Sequence, residues 1–147
     1  ESLSAYGIGF HRHNSEIDQM IKKYTKQKFN FTFTPHLTSM FRGILSTIYV
    51  DLNKNKTIDN IHKELVRFYK KDKFIKILKF DSLVSTNDAI NTNNCIISVC
   101  KSKYKNKAII LSSIDNLIKG GAGQAIQNMN ILNDFNVKDG LRWKESF

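Results

Sequence analysis

Four stretches of the chain are dense in branched and aromatic side chains at the length of a strand: Ile44 to Leu52, Phe74 to Leu78, Cys95 to Cys100 and Ala108 to Ile114. Helical periodicity interrupts them. Thr57 opens a predicted helix with Ile58, Ile61, Leu65 and Phe68 on one face. Nearer the start, Asn14 or Ser15 is placed to cap a helix, with Asp18 closing a capping box from Ser15. Ile17, Met20, Ile21 and Tyr24 form the apolar stripe of that helix. Phe29, Phe31 and Phe33 alternate with Asn30, Thr32 and Thr34, the period of a half-buried strand, and the single proline, Pro35, ends it. A last helix, within 120–135, follows Gly120-Gly121-Ala122-Gly123 and carries Ala125, Ile126, Met129, Ile131 and Leu132. Strands and helices mixed in this order, with short connections, predict an α+β fold: a mixed, largely antiparallel sheet with helices covering one face. The glycine cluster lacks the spacing and βαβ setting of a dinucleotide fingerprint, so a tight helix entry is the plainer reading of it.

The 147 residues are the scale of one domain, and 1–147 is expected to be a single one. With 41% hydrophobic residues and ten phenylalanines, the composition is that of a chain folding around a core. No apolar run approaches the ~18 residues of a membrane span, and no membrane partner is expected. The chain opens on Glu1 with no basic-then-apolar leader, so no secretory signal is expected and truncation of a longer protein is.

A formal net charge of +10 raises the possibility of a basic nucleic-acid-binding domain. The lysines are scattered from Lys22 to Lys144, however, and arginine, the residue of bidentate base and phosphate contacts, occurs only at Arg12, Arg42, Arg67 and Arg142. A solvated surface is the expectation, with no nucleic-acid partner. Cys95 and Cys100 are five apart, which misses common zinc and redox spacings and, on one strand, sends the thiols to opposite faces. Buried, inert thiols are expected.

Candidate chemistry gathers at Gly9-Phe10-His11-Arg12-His13-Asn14-Ser15-Glu16. His11 and His13 place two titratable rings near one helix N-terminus, with Glu16 as an orienting carboxylate. Read from residues alone, the pair can be a proton shuttle, two metal ligands or an ordinary surface pair; no third and fourth ligand stand nearby, and no metal is expected.

The stretch GFHRHNSEI, with Tyr6 just before it, resembles the family pattern G-x-H-R-H-T-P-E-I of N-acetyl-gamma-glutamyl-phosphate reductases. FTPHLTSMFRGILSTIYV, Phe33 to Val50, is similar to that family's F-T-P-H-L-x-P-M-x-R-G-I-L-x-T-I-Y-V. IDNLIKGGAGQAIQNMN, Ile114 to Asn130, is similar to its I-D-N-L-x-K-G-A-A-G-Q-A-V-Q-N-M-N. Three blocks in order make the resemblance specific. Asn14-Ser15 replaces Thr-Pro, Ser39 and Phe41 replace residues commonly proline and asparagine, and Gly121 replaces alanine; none of these removes a group capable of chemistry.

The resemblance implies NADPH-dependent reductive dephosphorylation of N-acetyl-gamma-glutamyl phosphate to N-acetyl-glutamate semialdehyde, a step of arginine biosynthesis in the cytoplasm. It implies that this chain is the C-terminal catalytic and dimerisation portion, inactive by itself and associating as a homo-oligomer. The nucleophilic cysteine and most of the NADP site would lie in a nucleotide-binding domain upstream of Glu1, and Cys95 matches a non-nucleophilic cysteine. His11, supported by His13, is then the expected proton shuttle. Tyr6, Glu16 and Arg42 are the expected substrate contacts, Arg42 through its planar fork, with a loop salt bridge as its alternative. The helix over 120–135 would pack on the nucleotide-binding domain, with Gly123, Gln124 and Asn128 on the cofactor side. An aspartate-semialdehyde dehydrogenase-like domain is the alternative enzyme, against which the His-Arg-His block speaks.

Overall fold

The structure is a computed structural model and describes residues 2–26 and 29–142. Its contacts divide the chain into two compact units, 1–41 and 42–147.

In the first unit, β1 (Ser4–Ala5) pairs antiparallel with β2 (His36–Leu37), and the Tyr6 amide extends the pairing to the Pro35 carbonyl at 3.1 Å. A turn follows in which the Gly7 carbonyl accepts the amides of Phe10 and His11, and positive φ at Gly7 (57°) and Gly9 (77°) lets the chain double back. Helix α1 (His13–Thr25) comes next. It begins earlier than the predicted caps: Arg12 is the N-cap and makes no side-chain cap bond, while the Ser15 hydroxyl donates back to the Arg12 carbonyl at 2.8 Å. No residue of α1 is fully buried, and Met20 and Tyr24 of the predicted apolar stripe are exposed. The predicted strand at Phe29 to Thr34 is absent from the described residues: the segment joins no ladder, and Phe29 and Phe31 are exposed. Alternation supplies a face, but a strand also needs a neighbour to take its backbone bonds.

The second unit is built on a four-stranded sheet of order β3-β6-β5-β4, formed by β3 (Ile44–Asp51), β4 (Ile75–Ile77), β5 (Cys95–Lys101) and β6 (Lys107–Ile114). The pairs β3–β6 and β6–β5 are antiparallel, and β4 runs parallel to β5. The fold is therefore α+β with a mixed, largely antiparallel sheet. Hydrophobic pattern sets the register: Ile96, Ser98 and Cys100 of β5 share a face with Ser113, Leu111 and Ile109 of β6. On that face Ile96 packs with Val84, Ala89, Leu78 and Leu111, and the Ser98 and Cys100 side chains donate to the Ser82 carbonyl at 2.7 and 3.4 Å. The two thiols are free and on opposite faces of β5, as their spacing predicts.

Helix α2 (Ile58–Phe68) packs on β5. Thr57 is its N-cap, in a capping box whose return arm is Asn60: the Asn60 amide donates to the Thr57 hydroxyl and the Thr57 amide to Asn60 Oδ1. Ile58, Ile61 and Leu65 are half-buried as predicted, but Phe68 is 73% exposed; His62, one position beyond Ile61, turns inward instead and meets the Leu78 carbonyl at 2.9 Å through Nε2. The last helix divides into a π-helical turn, Ile118–Ala122, and α3 (Gly123–Leu132), a narrower span than predicted. A Cβ at Gly123 would lie 2.5 Å from Asn93 Oδ1 and 2.8 Å from the Ile118 carbonyl oxygen, so glycine lets α3 close onto the loop before β5.

Ile96→Ala is expected to lower stability by about 2–5 kcal/mol through the cavity it opens, and Thr57→Ala by about 1 kcal/mol through loss of the cap. Denaturant unfolding of the two variants beside the parent chain measures both.

Candidate active-site residues

In the first unit the turn at Gly7 and Gly9 delivers His11 to the entry of α1. Its ring lies among three others: Tyr6 at 5.3 Å, His13 at 4.6 Å and Phe33 at 5.5 Å between centroids. His11 is half-buried and His13 exposed. The His13 backbone amide donates to His11 Nδ1 at 3.3 Å, so the neutral His11 ring carries its proton on Nε2. The side chain of His11 thus does the work the predicted Asn14 or Ser15 cap does not, satisfying an orphan amide at the helix start. Glu16 stands exposed in the first turn of α1, and Tyr6 is exposed beside His11. The structure therefore brings Tyr6, His11 and His13 together, with Phe33 as a wall that alternation alone assigned to a strand.

In the second unit Arg42 precedes β3. Its Nη2 donates to Asp115 Oδ2 at 2.5 Å, with side chains 16% and 0% exposed. The same carboxylate accepts the amides of Asn91, Leu117 and Ile118 at 2.8, 2.9 and 3.0 Å. Burial alone would raise the Asp115 carboxyl, but the bonds from Arg42, Asn91, Ile118 and Leu117 outweigh it and hold the group below its ordinary value. Beside it, Asn116 Oδ1 accepts the Gly43 amide at 2.7 Å.

On α3, Gly123 is buried, whereas Gln124 donates through Nε2 to Asn128 Oδ1 at 2.8 Å and Asn128 is exposed. Gln127, one turn inward, accepts from both Asn93 Nδ2 and Lys119 Nζ at 2.8 Å. Burial lowers the Lys119 ammonium, opposed by Cys95 and Asp72. Burial raises the Cys95 thiol, opposed by the Ser112 hydroxyl 3.5 Å from its sulfur and by Lys119. Among the described residues no group of three or more His, Cys, Asp or Glu could hold a metal ion, and no helix is long and apolar enough to cross a membrane.

Residues 1–116 match the family described as semialdehyde dehydrogenase, dimerisation domain. The chain belongs to that family. It is 44% identical over 142 residues to an N-acetyl-gamma-glutamyl-phosphate reductase of Staphylococcus aureus strain MRSA252, covering 97% of this chain and 41% of the relative. The same-named protein of strain USA300 is 44% identical over 141 residues, again over 41% of its length. The chain thus spans about two fifths of the curated relatives it matches. Among solved structures, aspartate semialdehyde dehydrogenase II from Vibrio cholerae superposes with a TM-score of 0.64 at 16% identity, over 87% of this chain and 38% of that one. That likeness supports the semialdehyde dehydrogenase fold.

Within this semialdehyde dehydrogenase dimerisation domain, Asp115 and Phe33 are the residues that sequence reasoning did not single out for the site. Asp115 could have been suspected: an acid ending an apolar strand must find partners, and Arg42 is a scarce arginine. The first expected outcome here concerns acid. A carboxyl depressed in the folded chain contributes stability above its unfolded value near about 4, and that contribution is lost as pH falls through the folded value. Asp115→Asn should therefore be less stable than the parent at pH 7, and the gap should narrow as pH falls below about 4 in circular-dichroism melts. The second concerns Cys95, whose raised thiol should be alkylated slowly at pH 7 and faster as pH rises, in mass-spectrometric time courses.

Proposed function

We propose that this chain is the catalytic and dimerisation portion, a single domain over 1–147, of a cytoplasmic NADPH-dependent reductase that converts N-acetyl-gamma-glutamyl phosphate to N-acetyl-glutamate semialdehyde in arginine biosynthesis. The observation that carries this reading is the seat of His11: a half-buried imidazole at a helix entry, enclosed by Tyr6, His13 and Phe33, with Nδ1 engaged by backbone. The name of the Staphylococcus aureus relatives, carried over, supplies the substrate.

Such a reaction passes through a cysteine thioester. It needs a group that exchanges a proton with the thiol and with the oxygen of the tetrahedral adduct near neutral pH. His11 is assigned that exchange for its seat among Tyr6, His13 and Phe33. With Nε2 carrying the proton of the neutral ring, it takes up a second proton at Nδ1, when the contact from the His13 amide opens, and gives one back as the imidazolium. His13, Glu16 and Tyr6 flank it as supporting and substrate-contacting groups. Arg42 is assigned the anionic group of the substrate through the part of its side chain that stays 16% exposed, with Nη2 anchored on Asp115.

The nucleophilic cysteine is assigned to the part of the protein beyond this chain; the burial of Cys95, which raises its thiol, supports leaving it out of the chemistry. NADPH, when bound, supplies the reducing electrons. Its site is assigned mainly to the partner nucleotide-binding domain, with α3 facing it through Gln124 and Asn128; Gly123 contributes by letting that helix close on the loop before β5. The exposed apolar side chains of Ala125, Met129 and Leu132 on α3 suit such a contact. This chain alone is therefore inactive. Homo-oligomer formation is assigned to the sheet, where edge strand β3 exposes Ile44, Leu45, Ile48 and Tyr49.

In the intact enzyme, His11→Ala should lower kcat by about 100- to 10,000-fold with a smaller change in KM. Steady-state assay of His11→Ala and His13→Ala measures this, and a loss confined to His13→Ala moves the role there. Light scattering of this chain at high concentration should give a dimer; a monomer counts against the sheet as the interface.

A further inference from the structure

We propose that Asp115 is a positioning residue, whose carboxylate sets the direction from which the Arg42 guanidinium meets the anionic group of the substrate. The inference rests on the assignment of Arg42 to the substrate, and adds to it a residue that makes no substrate contact itself.

Asp115 is fully buried just past β6. Oδ2 accepts from Arg42 Nη2 and the Asn91 amide, and Oδ1 accepts from the Leu117 and Ile118 amides. Three backbone donors from two separate segments hold the carboxylate plane, so it is the fixed member of the pair and the guanidinium is the one oriented. The backbone under Arg42 is fixed as well. Asn116 Oδ1 takes the Gly43 amide, and Gly43 sits at φ +109° with a would-be Cβ 2.9 Å from Thr86 Cβ, where any other side chain would be strained and crowded.

Arg42 is therefore gripped at its backbone and at one terminal nitrogen. Nε is enclosed without a partner among the described residues, and the 16% of the side chain that stays exposed is the part an incoming anion meets. An oxyanion arriving at that exposed edge takes a charge-assisted hydrogen bond from the guanidinium. Because Asp115 offsets much of the Arg42 charge, such an anion is held by the direction of the fork rather than by net attraction. Lysine, a point charge with no second fixed donor, cannot reproduce that arrangement.

The test is a double-mutant cycle in the full-length enzyme with N-acetyl-gamma-glutamyl phosphate: parent, Arg42→Gln, Asp115→Asn and both together. Asp115→Asn should raise KM on the order of 100-fold, the scale of a misplaced binding group, with kcat changed less. In the Arg42→Gln background the same substitution should add nothing to the loss in kcat/KM. Arg42→Lys should behave as Arg42→Gln. An equal loss from Asp115→Asn in both backgrounds overturns the positioning role while leaving Arg42 on the substrate. An unaltered kcat/KM in Arg42→Gln removes Arg42 from the substrate, and the positioning role with it. Should Asp115→Asn fail to fold, Asp115→Glu keeps the charge and moves it by one methylene; a raised KM in that folded variant supports the role, and an unchanged KM overturns it.

Discussion

A single buried carboxylate ties together the parts of the second unit that lie far apart in sequence. Asp115 receives the guanidinium that precedes β3, the turn at Asn91 that leads into β5, and the first amides of the helical segment after β6. A charge with no exposure to water would be prohibitive without partners, and here four donors from three stretches of chain supply them. Moving any one of those stretches leaves the carboxylate under-satisfied. The sheet's pairing order places β3 and β5 on either side of β6, and the end of β6 is where their connections converge.

The first unit solves a smaller problem by related means. Helix α1 starts without a side-chain cap from Arg12, and an imidazole nitrogen of His11 takes one of the orphan amides instead. That choice costs the helix a conventional cap but settles which nitrogen of the ring holds the proton. Structural need and candidate chemistry are met by one side chain, and the aromatic walls of Tyr6 and Phe33 limit where the ring can go.

Much of the fold was legible from local pattern. The four strands of the sheet, the capped helix after Thr57 and the opposite faces of the two cysteines all follow from periodicities of two and 3.6 residues. The misreadings share a cause. Phe29 to Thr34 has the alternation of a strand but no ladder partner among the described residues; Phe68 lies on the apolar side of α2 by spacing, yet it is exposed while His62 turns inward; Met20 and Tyr24 form a stripe that stays exposed. In each case the residues declare a preference, and only a neighbouring element can honour it. Phe33 shows the converse, with its ring serving the histidines and not a strand.

The amino-acid sequence by itself determined the α+β class, the elements of the larger sheet, and the concentration of titratable side chains at His11 and His13, because these depend on contacts within a few residues along the chain. It also marked Arg42 as a residue to watch, since arginine is scarce in a chain whose positive charge is otherwise lysine. Only the tertiary structure decided that Arg42 is anchored by Asp115, 73 positions away, and that Gly123 lies where a Cβ would collide with Asn93. Pairings at such separations leave no periodic trace in sequence: they are set by where strand order brings the ends of β3, β5 and β6, and by the requirement that a charge removed from water find its donors there.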